Sequence, residues 1–365
     1  MTKTIFPSES DLNSQTNSNH HIPSLDWARV IALLAIITIH AKPFSDYPLI
    51  AGEPWIALLL NQCSRFAVPL FFLIAGYFIA PKLIATPRAT FIRYSLPLMK
   101  VWLAWSLIYL FMPFNLETVF SQGYLADRQP YWQYLLSIPL NSLFEGGLVH
   151  LWYIPALVCA MGLLALLHNF KLQHALLATA VGLYIYGLAA GSYQPIFELS
   201  APIFTRNGPF LSTLMVTIGF IIRQQQSNER SWFISNTKAV TIAVIGMLLH
   251  LSEAYFLRRY DIPFNTHDFL IGTPFWAYGL FILLLNKPQL GKGSALLATS
   301  KDVLGIYLVH LLVVIYLFNL KGLLAWNAEG MGLLFDTLIV PVAFLISLLV
   351  VRLIEKTPMK RLLLR

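Results

Sequence analysis

The chain contains 365 residues, of which 57% are apolar and 12% are charged. This composition excludes an ordinary soluble domain, in which about a quarter of the residues would be charged. The formal net charge of +8 does not indicate a nucleic-acid partner, because Lys and Arg concentrate between the apolar runs, where the positive-inside rule places them in membrane proteins.

Ten apolar runs are long enough to form membrane-spanning helices. The predicted spans are 25–42, 55–80, 94–113, 149–168, 173–190, 208–223, 237–256, 268–286, 301–319 and 332–354. They predict an all-α fold, a polytopic membrane bundle of about ten transmembrane helices within residues 25–355. The polar residues 1–24 are expected to form a disordered cytoplasmic tail, and residues 356–365 a basic cytoplasmic tail.

The distribution of Lys and Arg between these spans favours an orientation with both termini in the cytoplasm. The longest connection, 114–148, then lies outside, and its part from Tyr131 to Phe144 is predicted to form an amphipathic surface helix. The two cysteines, Cys63 and Cys159, have no metal-ligand spacing, so we expect neither a disulfide framework nor a metal site.

The first predicted span, LDWARVIALLAIITIHA, carries two ionisable residues, Arg29 and His40. Eleven residues of helix place them on one face and about 16 Å apart along the axis. Ionisable groups inside a membrane are costly and usually functional. The plain alternative is an arginine that anchors the helix at the interface and a hydrogen-bonded core histidine.

In the second span, Arg65 follows Asn61 by one helical turn, on the same face. This span runs from outside to inside, so Arg65 and His40 would both lie in the outer half and could converge on one outward-facing cavity. Alternatively, Arg65 bonds the carbonyls freed near Pro69 and only holds the bundle together.

Histidines in two further spans are candidates for the site. His150 and Trp152 open the fourth span at the expected outer interface, with Glu145 nearby; interfacial tryptophans usually form a belt. His310 lies near the middle of the ninth span, where a packing histidine is the plain alternative.

The third span begins with a basic stretch that contains Arg88, Arg93 and Lys100. Together with Arg29 they could form a cytoplasmic cationic mouth for a phosphorylated ligand. The alternative is that they are ordinary positive-inside flanking residues.

These stretches together resemble the acyltransferase-3 family of integral membrane acyltransferases. Arg29-x10-His40 matches the Arg/Lys-x10-His motif of the family's first helix, and NQCSRFAVPLFFLIAGYF matches its second-helix pattern, with Ala75 in place of the usual serine. HLWYIPAL, LGIYLVH and VRLIEKTPMKRLL resemble three further family stretches in the right order, the last with Thr357 inserted before Pro358.

The resemblance implies a multi-pass protein of the bacterial inner membrane that uses cytoplasmic acetyl-CoA as donor substrate and holds no permanently bound cofactor. The acceptor would be a hydroxyl, typically on a surface or lipid-linked glycan. Arg29 would help to hold the coenzyme, and His40 would act on the transferring group or the acceptor. Membrane lipids would be the other partners.

The residues are compatible with this chemistry. A histidine titrates in the range that a general base needs, which makes His40 and His150 catalytic candidates. Arg65 is a candidate for the developing oxyanion. A covalent acyl-histidine, a secondary transporter that uses the same residues, an acyltransferase with a cytoplasmic small-molecule acceptor, and a partner-binding membrane protein remain as alternatives.

Overall fold

The computed structural model describes residues 22–227, 234–326 and 329–364. The expected polar tail, 1–24, therefore lies almost wholly outside the described residues. The first helix begins at Pro23, two residues before the predicted start, because proline at the first helical position needs no intrahelical partner for its nitrogen.

Within these residues the chain folds into sixteen α-helices. They are α1 (Pro23–Ala41), α2 (Trp55–Cys63), α3 (Ala67–Ala85), α4 (Pro87–Phe111), α5 (Leu116–Gln122), α6 (Tyr124–Ser137), α7 (Pro139–Glu145), α8 (Tyr153–Asn169), α9 (Leu176–Ala189), α10 (Gln194–Phe197), α11 (Pro209–Ser227), α12 (Asn236–Leu257), α13 (Gly272–Asn286), α14 (Val303–Leu323), α15 (Glu329–Glu355) and α16 (Lys360–Leu363).

Each predicted span contains at least one of these helices, so the all-helical bundle is confirmed. Seven helical segments of the described chain are long and apolar enough to cross a membrane: Pro23–Ala41, Trp55–Ala85, Pro87–Phe111, Val149–Asn169, Asn236–Tyr260, Ala295–Leu323 and Gly330–Glu355. The other three predicted spans form α9, α11 and α13, which lie outside this set of seven. At 15 residues, α13 is only about 22 Å long.

The second predicted span is not one continuous helix. It is interrupted at residues 64–66, between α2 and α3, and Arg65 lies in this interruption. Pro69, in the first turn of α3, has no N–H to continue the helical ladder from α2. Because of the interruption, the Arg65 side chain does not lie on the apolar face that a continuous helix would have formed.

Glycines allow the central helices to approach closely. A Cβ atom on Gly76 of α3 would lie 2.0 Å from the backbone oxygen of Val216 in α11, and one on Gly219 would lie 2.0 Å from that of Leu73. Only a residue without a side chain fits at such distances. The α3–α11 pair is therefore held in backbone contact, which is typical of helix packing in membranes.

The long connection after α4 forms three short helices, α5 to α7, rather than the single predicted amphipathic helix over 131–144. The break falls at Pro139, which starts α7. Arg128 of α6 is fully buried and donates hydrogen bonds of 3.1 Å to the carbonyls of Tyr109 and Leu110. It thus caps the last turn of α4, whose final carbonyls have no intrahelical partner.

The basic segment at the other end of the chain folds back onto the bundle. Leu363 of α16 is 5% exposed, and its carbonyl accepts a 2.8 Å hydrogen bond from Nε1 of Trp105 in α4. The residues expected as a tail are thus attached to α4 by an apolar side chain and a backbone hydrogen bond.

Candidate active site

Three histidine rings from distant parts of the chain meet in the bundle. The ring centroid of His310 lies 5.3 Å from that of His40 and 5.1 Å from that of His150, and the last two centroids are 6.3 Å apart. His40 is the penultimate residue of α1, His150 lies in the 3₁₀ turn before α8, and His310 is in α14. We call this group the histidine cluster.

Backbone carbonyls fix the protonation pattern of two of these rings. Nδ1 of His310 lies 2.6 Å from the carbonyl oxygen of Tyr307, and Nε2 of His150 lies 3.3 Å from that of Leu308. A carbonyl accepts but cannot donate, so each of these nitrogens carries the ring hydrogen. Nε2 of His310 and Nδ1 of His150 are buried and have no hydrogen-bond partner in the described chain. Each ring therefore keeps one free accepting nitrogen.

His40 is the more accessible member of the cluster. Its ring is partly exposed, whereas His150 is 1% and His310 0% exposed. It forms ring contacts with both partners but no hydrogen bond with another described residue. An accessible imidazole backed by two fixed imidazoles is well placed to meet a substrate and exchange a proton with it.

Two tyrosines lie beside the histidine cluster. The ring centroids of Tyr109 and Tyr307 lie 5.3 Å and 5.5 Å from that of His150. The Tyr307 hydroxyl donates to the His150 carbonyl, and the Tyr109 hydroxyl donates to the Leu308 carbonyl. The Tyr307 hydroxyl thus joins α14 to the turn before α8, and the Tyr109 hydroxyl joins α4 to α14 at the carbonyl that also accepts from His150.

The candidate Arg65 lies in a network of charged groups. Its Nη1 donates to Asp268 at 2.5 Å, its Nη2 to the carbonyl of Asn265 at 3.0 Å, and its Nε and Nη2 to Oδ1 of Asn61 at 3.3 Å and 3.1 Å. Arg65 and Arg206 both interact electrostatically with His40. The helix interruption thus places a fixed positive charge near the histidine cluster.

Arg206 extends this network to Glu145. It lies 2.5 Å from the Glu145 carboxylate and 3.4 Å from Asp268, and Nδ2 of Asn207 also donates to Glu145 at 3.3 Å. Two arginines and two carboxylates therefore alternate along the network, and we call these four residues the Arg65–Glu145 network. Glu145 is 3% exposed, so its negative charge is matched by a cation in a nearly dry environment.

The loop groups of this network titrate outside their ordinary ranges. Burial tends to raise the pKa of Asp268, but Arg65 and Arg206 outweigh it and hold that pKa below its ordinary value. Burial opposes the charge of Arg206 as well, yet Asp268 and Glu145 hold its pKa above the ordinary value. Burial, with the charge of Arg65 next, lowers the pKa of the neighbouring His267 to about 4. Asp268 and Arg206 are therefore ionised at neutral pH beside a neutral His267.

Arg29 lies at the other end of α1, in a cavity of about 480 Å³. Its Nη1 is 3.2 Å from the carboxylate of Asp26, one turn earlier. Lys301 and Lys360 line the same cavity. Arg29 also interacts electrostatically with Tyr153, whose ring centroid is 5.7 Å from that of Tyr307 beside the histidine cluster. Tyr153 therefore lies within the electrostatic range of Arg29 and in ring contact with Tyr307.

The other basic candidates lie apart from this cavity. Arg88, Arg93 and Lys100 are exposed on α4 and do not line the cavity of Arg29. The remaining candidate, Trp152, is 9% exposed and its ring centroid lies 6.3 Å from that of Phe72, so it packs between helices instead of facing an interface.

Several residues of the site carried no clear signal in the sequence. Arg206 and His267 looked like ordinary loop residues, and Asp268 looked like the polar start of an apolar run. An acidic residue directly before a span is the counter-ion that an intramembrane Arg65 needs, and that pairing rule could have identified it. In the described part of the chain, no three His, Cys, Asp or Glu side chains are placed to hold a metal ion.

A family-level comparison covers most of the chain. Residues 22–352 match the family model described as an acyltransferase domain, Acyl_transf_3. The matched range begins one residue before α1 and includes the histidine cluster and the Arg65–Glu145 network. No solved structure matches this chain.

Curated relatives are named as racemases. A serine/alanine racemase of Enterococcus gallinarum is 30% identical over 286 residues, which cover 72% of this chain and 37% of the relative. An amino-acid racemase of Enterococcus faecalis is 27% identical over 320 residues, 83% of this chain and 42% of the relative. A second amino-acid racemase of that species is 26% identical over 292 residues, 73% of this chain and 36% of the relative. The chain therefore spans less than half the length of these relatives.

Proposed function

Since this chain belongs to the acyltransferase-3 family, we propose that it is a membrane O-acyltransferase that moves an acetyl group from cytoplasmic acetyl-CoA to a hydroxyl of a surface or lipid-linked glycan. The observation that carries the proposal is the histidine cluster. We place the protein in the bacterial inner membrane with both termini in the cytoplasm, as the distribution of basic residues favours.

His40 acts as the general base. The acceptor hydroxyl oxygen attacks the thioester carbonyl while its proton passes to the His40 ring, and the C–S bond then breaks as the coenzyme thiolate leaves and recovers that proton. Such assistance is typically worth about 10²–10⁴-fold in rate. His150 and His310 each keep a neutral accepting nitrogen, so they are suited to stabilise a positive charge that forms on His40.

Within the Arg65–Glu145 network, whose formal charges cancel, Arg65 and Arg206 are the positive charges that act on His40. Most N–H groups of Arg65 already have acceptors, so its contribution to the developing oxyanion is its charge more than a direct hydrogen bond. A fixed charge of this kind costs no reorganisation during the reaction. The polar groups of Asn61 and Glu145 would face the acceptor from the same side.

Arg29 and the basic residues on its side of the membrane would hold the anionic coenzyme. Arg29 and His40 are about 16 Å apart along α1, a distance that an extended pantetheine arm can bridge. The thioester would then reach the histidine cluster past Tyr153 and Tyr307.

The test is transfer of radiolabel from acetyl-CoA in inside-out membrane vesicles that contain candidate glycans. We expect label in a glycan or glycolipid fraction with the wild-type chain and a loss of at least 100-fold with His40→Ala. His174→Ala, which changes an exposed histidine in a loop, is the matched control and should keep full activity. Full transfer by a correctly inserted His40→Ala variant would contradict the mechanism.

Amino-acid transport is the second candidate. The curated relatives are named for serine, alanine and other amino acids, so an amino acid is the substrate class that a transporter of this kind would carry. Intramembrane histidines and arginines can couple protons or substrate in transporters. Uptake of labelled serine into the same vesicles, with no consumption of acetyl-CoA, would favour this function over acyl transfer.

A further inference from the structure

The cavity around Arg29 is built from three distant parts of the chain. Arg29 comes from α1, Lys301 from the 3₁₀ turn before α14, and Lys360 from α16. Its volume of about 480 Å³ falls in the ~300–1,000 Å³ range of small-molecule sites. Three cationic side chains in one cavity of this size suit an anionic ligand.

The segment from Lys360 to Leu364 forms one wall of this cavity. Lys360 and Leu364 line it, and the intervening Leu363 is buried and bonded to Trp105. A Cβ atom on Gly305 of α14 would come within 3.0 Å of the Leu364 side chain. The missing side chain at position 305 therefore lets the segment lie directly against α14.

Two lysines of the cavity are available to bind an anionic ligand. Asp302 also lines the cavity, but its Oδ2 accepts from Nη2 and Nε of Arg352 at 2.6 Å and 3.0 Å. Lys301 and Lys360 form no ion pair with any residue that the structure describes. Glu355 offsets part of their charge. An ammonium group without a carboxylate partner is a typical point contact for a phosphate.

Building on the proposed acyl transfer, we propose that this cavity binds the phosphorylated nucleotide end of the acyl donor and that residues 360–364 form its wall. Lys301 and Lys360 contact the phosphates of the donor. The proposal thus assigns donor recognition to the segment after α15 in place of the exposed basic residues of α4.

The experiment compares two donors with the full chain in membrane vesicles. One donor is acetyl-CoA, and the other is S-acetylpantetheine, which carries the same thioester but has no phosphate. Lys301→Glu and Lys360→Glu should each raise KM for acetyl-CoA by roughly tenfold or more, as expected for loss of a charged contact, and leave transfer from S-acetylpantetheine unchanged. Lys356→Glu is the matched control, because this residue is exposed and lies outside both the cavity lining and the segment 360–364.

The outcomes separate this site from the proposed function. An unchanged KM for acetyl-CoA in both lysine variants, or an equal loss with both donors, would overturn the site and leave the acyltransferase intact. If the wild-type chain transfers nothing, the site is tested by binding of coenzyme A to the purified protein. Tighter binding by the wild type than by Lys360→Glu supports the site without the activity. Equal binding, or no binding, overturns the site.

Discussion

At the scale of single residues, the chain uses buried histidines in two different ways. His310 and His250 are both fully buried in apolar helices. His250 has partners at both ring nitrogens, Thr273 at 2.9 Å and Gln62 at 2.8 Å, whereas His310 keeps one nitrogen free. His250 thus joins α12 to α2 and α13. A fully bonded histidine is structural, and a half-bonded one is available for chemistry.

This difference predicts different effects of one substitution. His250→Ala should lower the free energy of unfolding by about 2–4 kcal/mol, because it leaves a cavity and two buried polar groups unpaired. His310→Ala leaves a similar cavity but removes only one hydrogen bond, so it should lower the free energy of unfolding by less, while acetyl transfer falls at least 100-fold. Thermal unfolding of both purified variants, set beside their transfer rates, checks the pair. A transfer rate for His310→Ala close to that of the wild type would assign His310 to packing.

His267 predicts how stability depends on pH. Its folded pKa of about 4 lies below the unfolded value of about 6.5, so the unfolded chain binds the proton more readily. The stabilisation is complete above pH ~6.5 and is lost progressively as the pH falls from there to ~4. His267→Asn should therefore show a shallower fall of Tm across this window than the wild type. His174→Asn, in an exposed loop, should follow the wild-type curve, and identical slopes for all three proteins would contradict the prediction.

At the scale of helices, hydropathy predicted where the spans lie but not how they are interrupted or paired. Long apolar runs identify α1, α4, α14 and α15 because the bilayer dictates their length. The partner of Arg65 beside the interruption at residues 64–66 is Asp268, more than 200 positions away, which local hydropathy does not show. The three short helices before α8 were likewise not predicted, and the contact of Arg128 with the end of α4 is a tertiary one.

Alanine substitutions of two glycines should change the stability of the protein in opposite directions. Gly219→Ala must separate α11 from α3, because its Cβ would lie 2.0 Å from the Leu73 oxygen. Gly182→Ala in α9 meets nothing within 4 Å and should be neutral or stabilise by about 0.5–1 kcal/mol through helix propensity. The yield of monodisperse protein and its Tm in detergent check both variants. Equal behaviour of the two would show that the close α3–α11 contact adds little to stability.

At the scale of the whole molecule, the histidine cluster joins residues 40, 150 and 310. Each of these histidines could be found on its own span, because an ionisable side chain in an apolar run is conspicuous. Their meeting could not be predicted, since it depends on how α1, α8 and α14 pack. The same holds for the cavity around Arg29. Packing of the 3₁₀ turn before α14 on α1 brings Lys301 there, and the fold-back of α16 brings Lys360.

The separation of this cavity from the histidine cluster predicts that the donor enters from one side of the membrane and the acceptor is modified on the other. Arg29 and His40 mark the two ends of α1, and the Arg65–Glu145 network lies at the His40 end. Acetyl-CoA is highly charged and cannot cross a bilayer unaided, so it must enter from the side of Arg29. In intact inside-out vesicles, added acetyl-CoA should label an acceptor within the lumen. An impermeant esterase added outside should then remove the label only after detergent opens the vesicles. Right-side-out vesicles should give no label.

Two controls make this sidedness decisive. Vesicles with His40→Ala should show no label on either face, which ties the product to the histidine cluster. Vesicles with His174→Ala should reproduce the wild-type pattern, because that residue lies on an exposed loop away from both ends of α1. If the esterase removes all label from intact inside-out vesicles, the acceptor lies on the same face as acetyl-CoA. The enzyme would then act on a cytoplasmic hydroxyl, and the histidine cluster would have to open towards the Arg29 cavity instead of the outer surface.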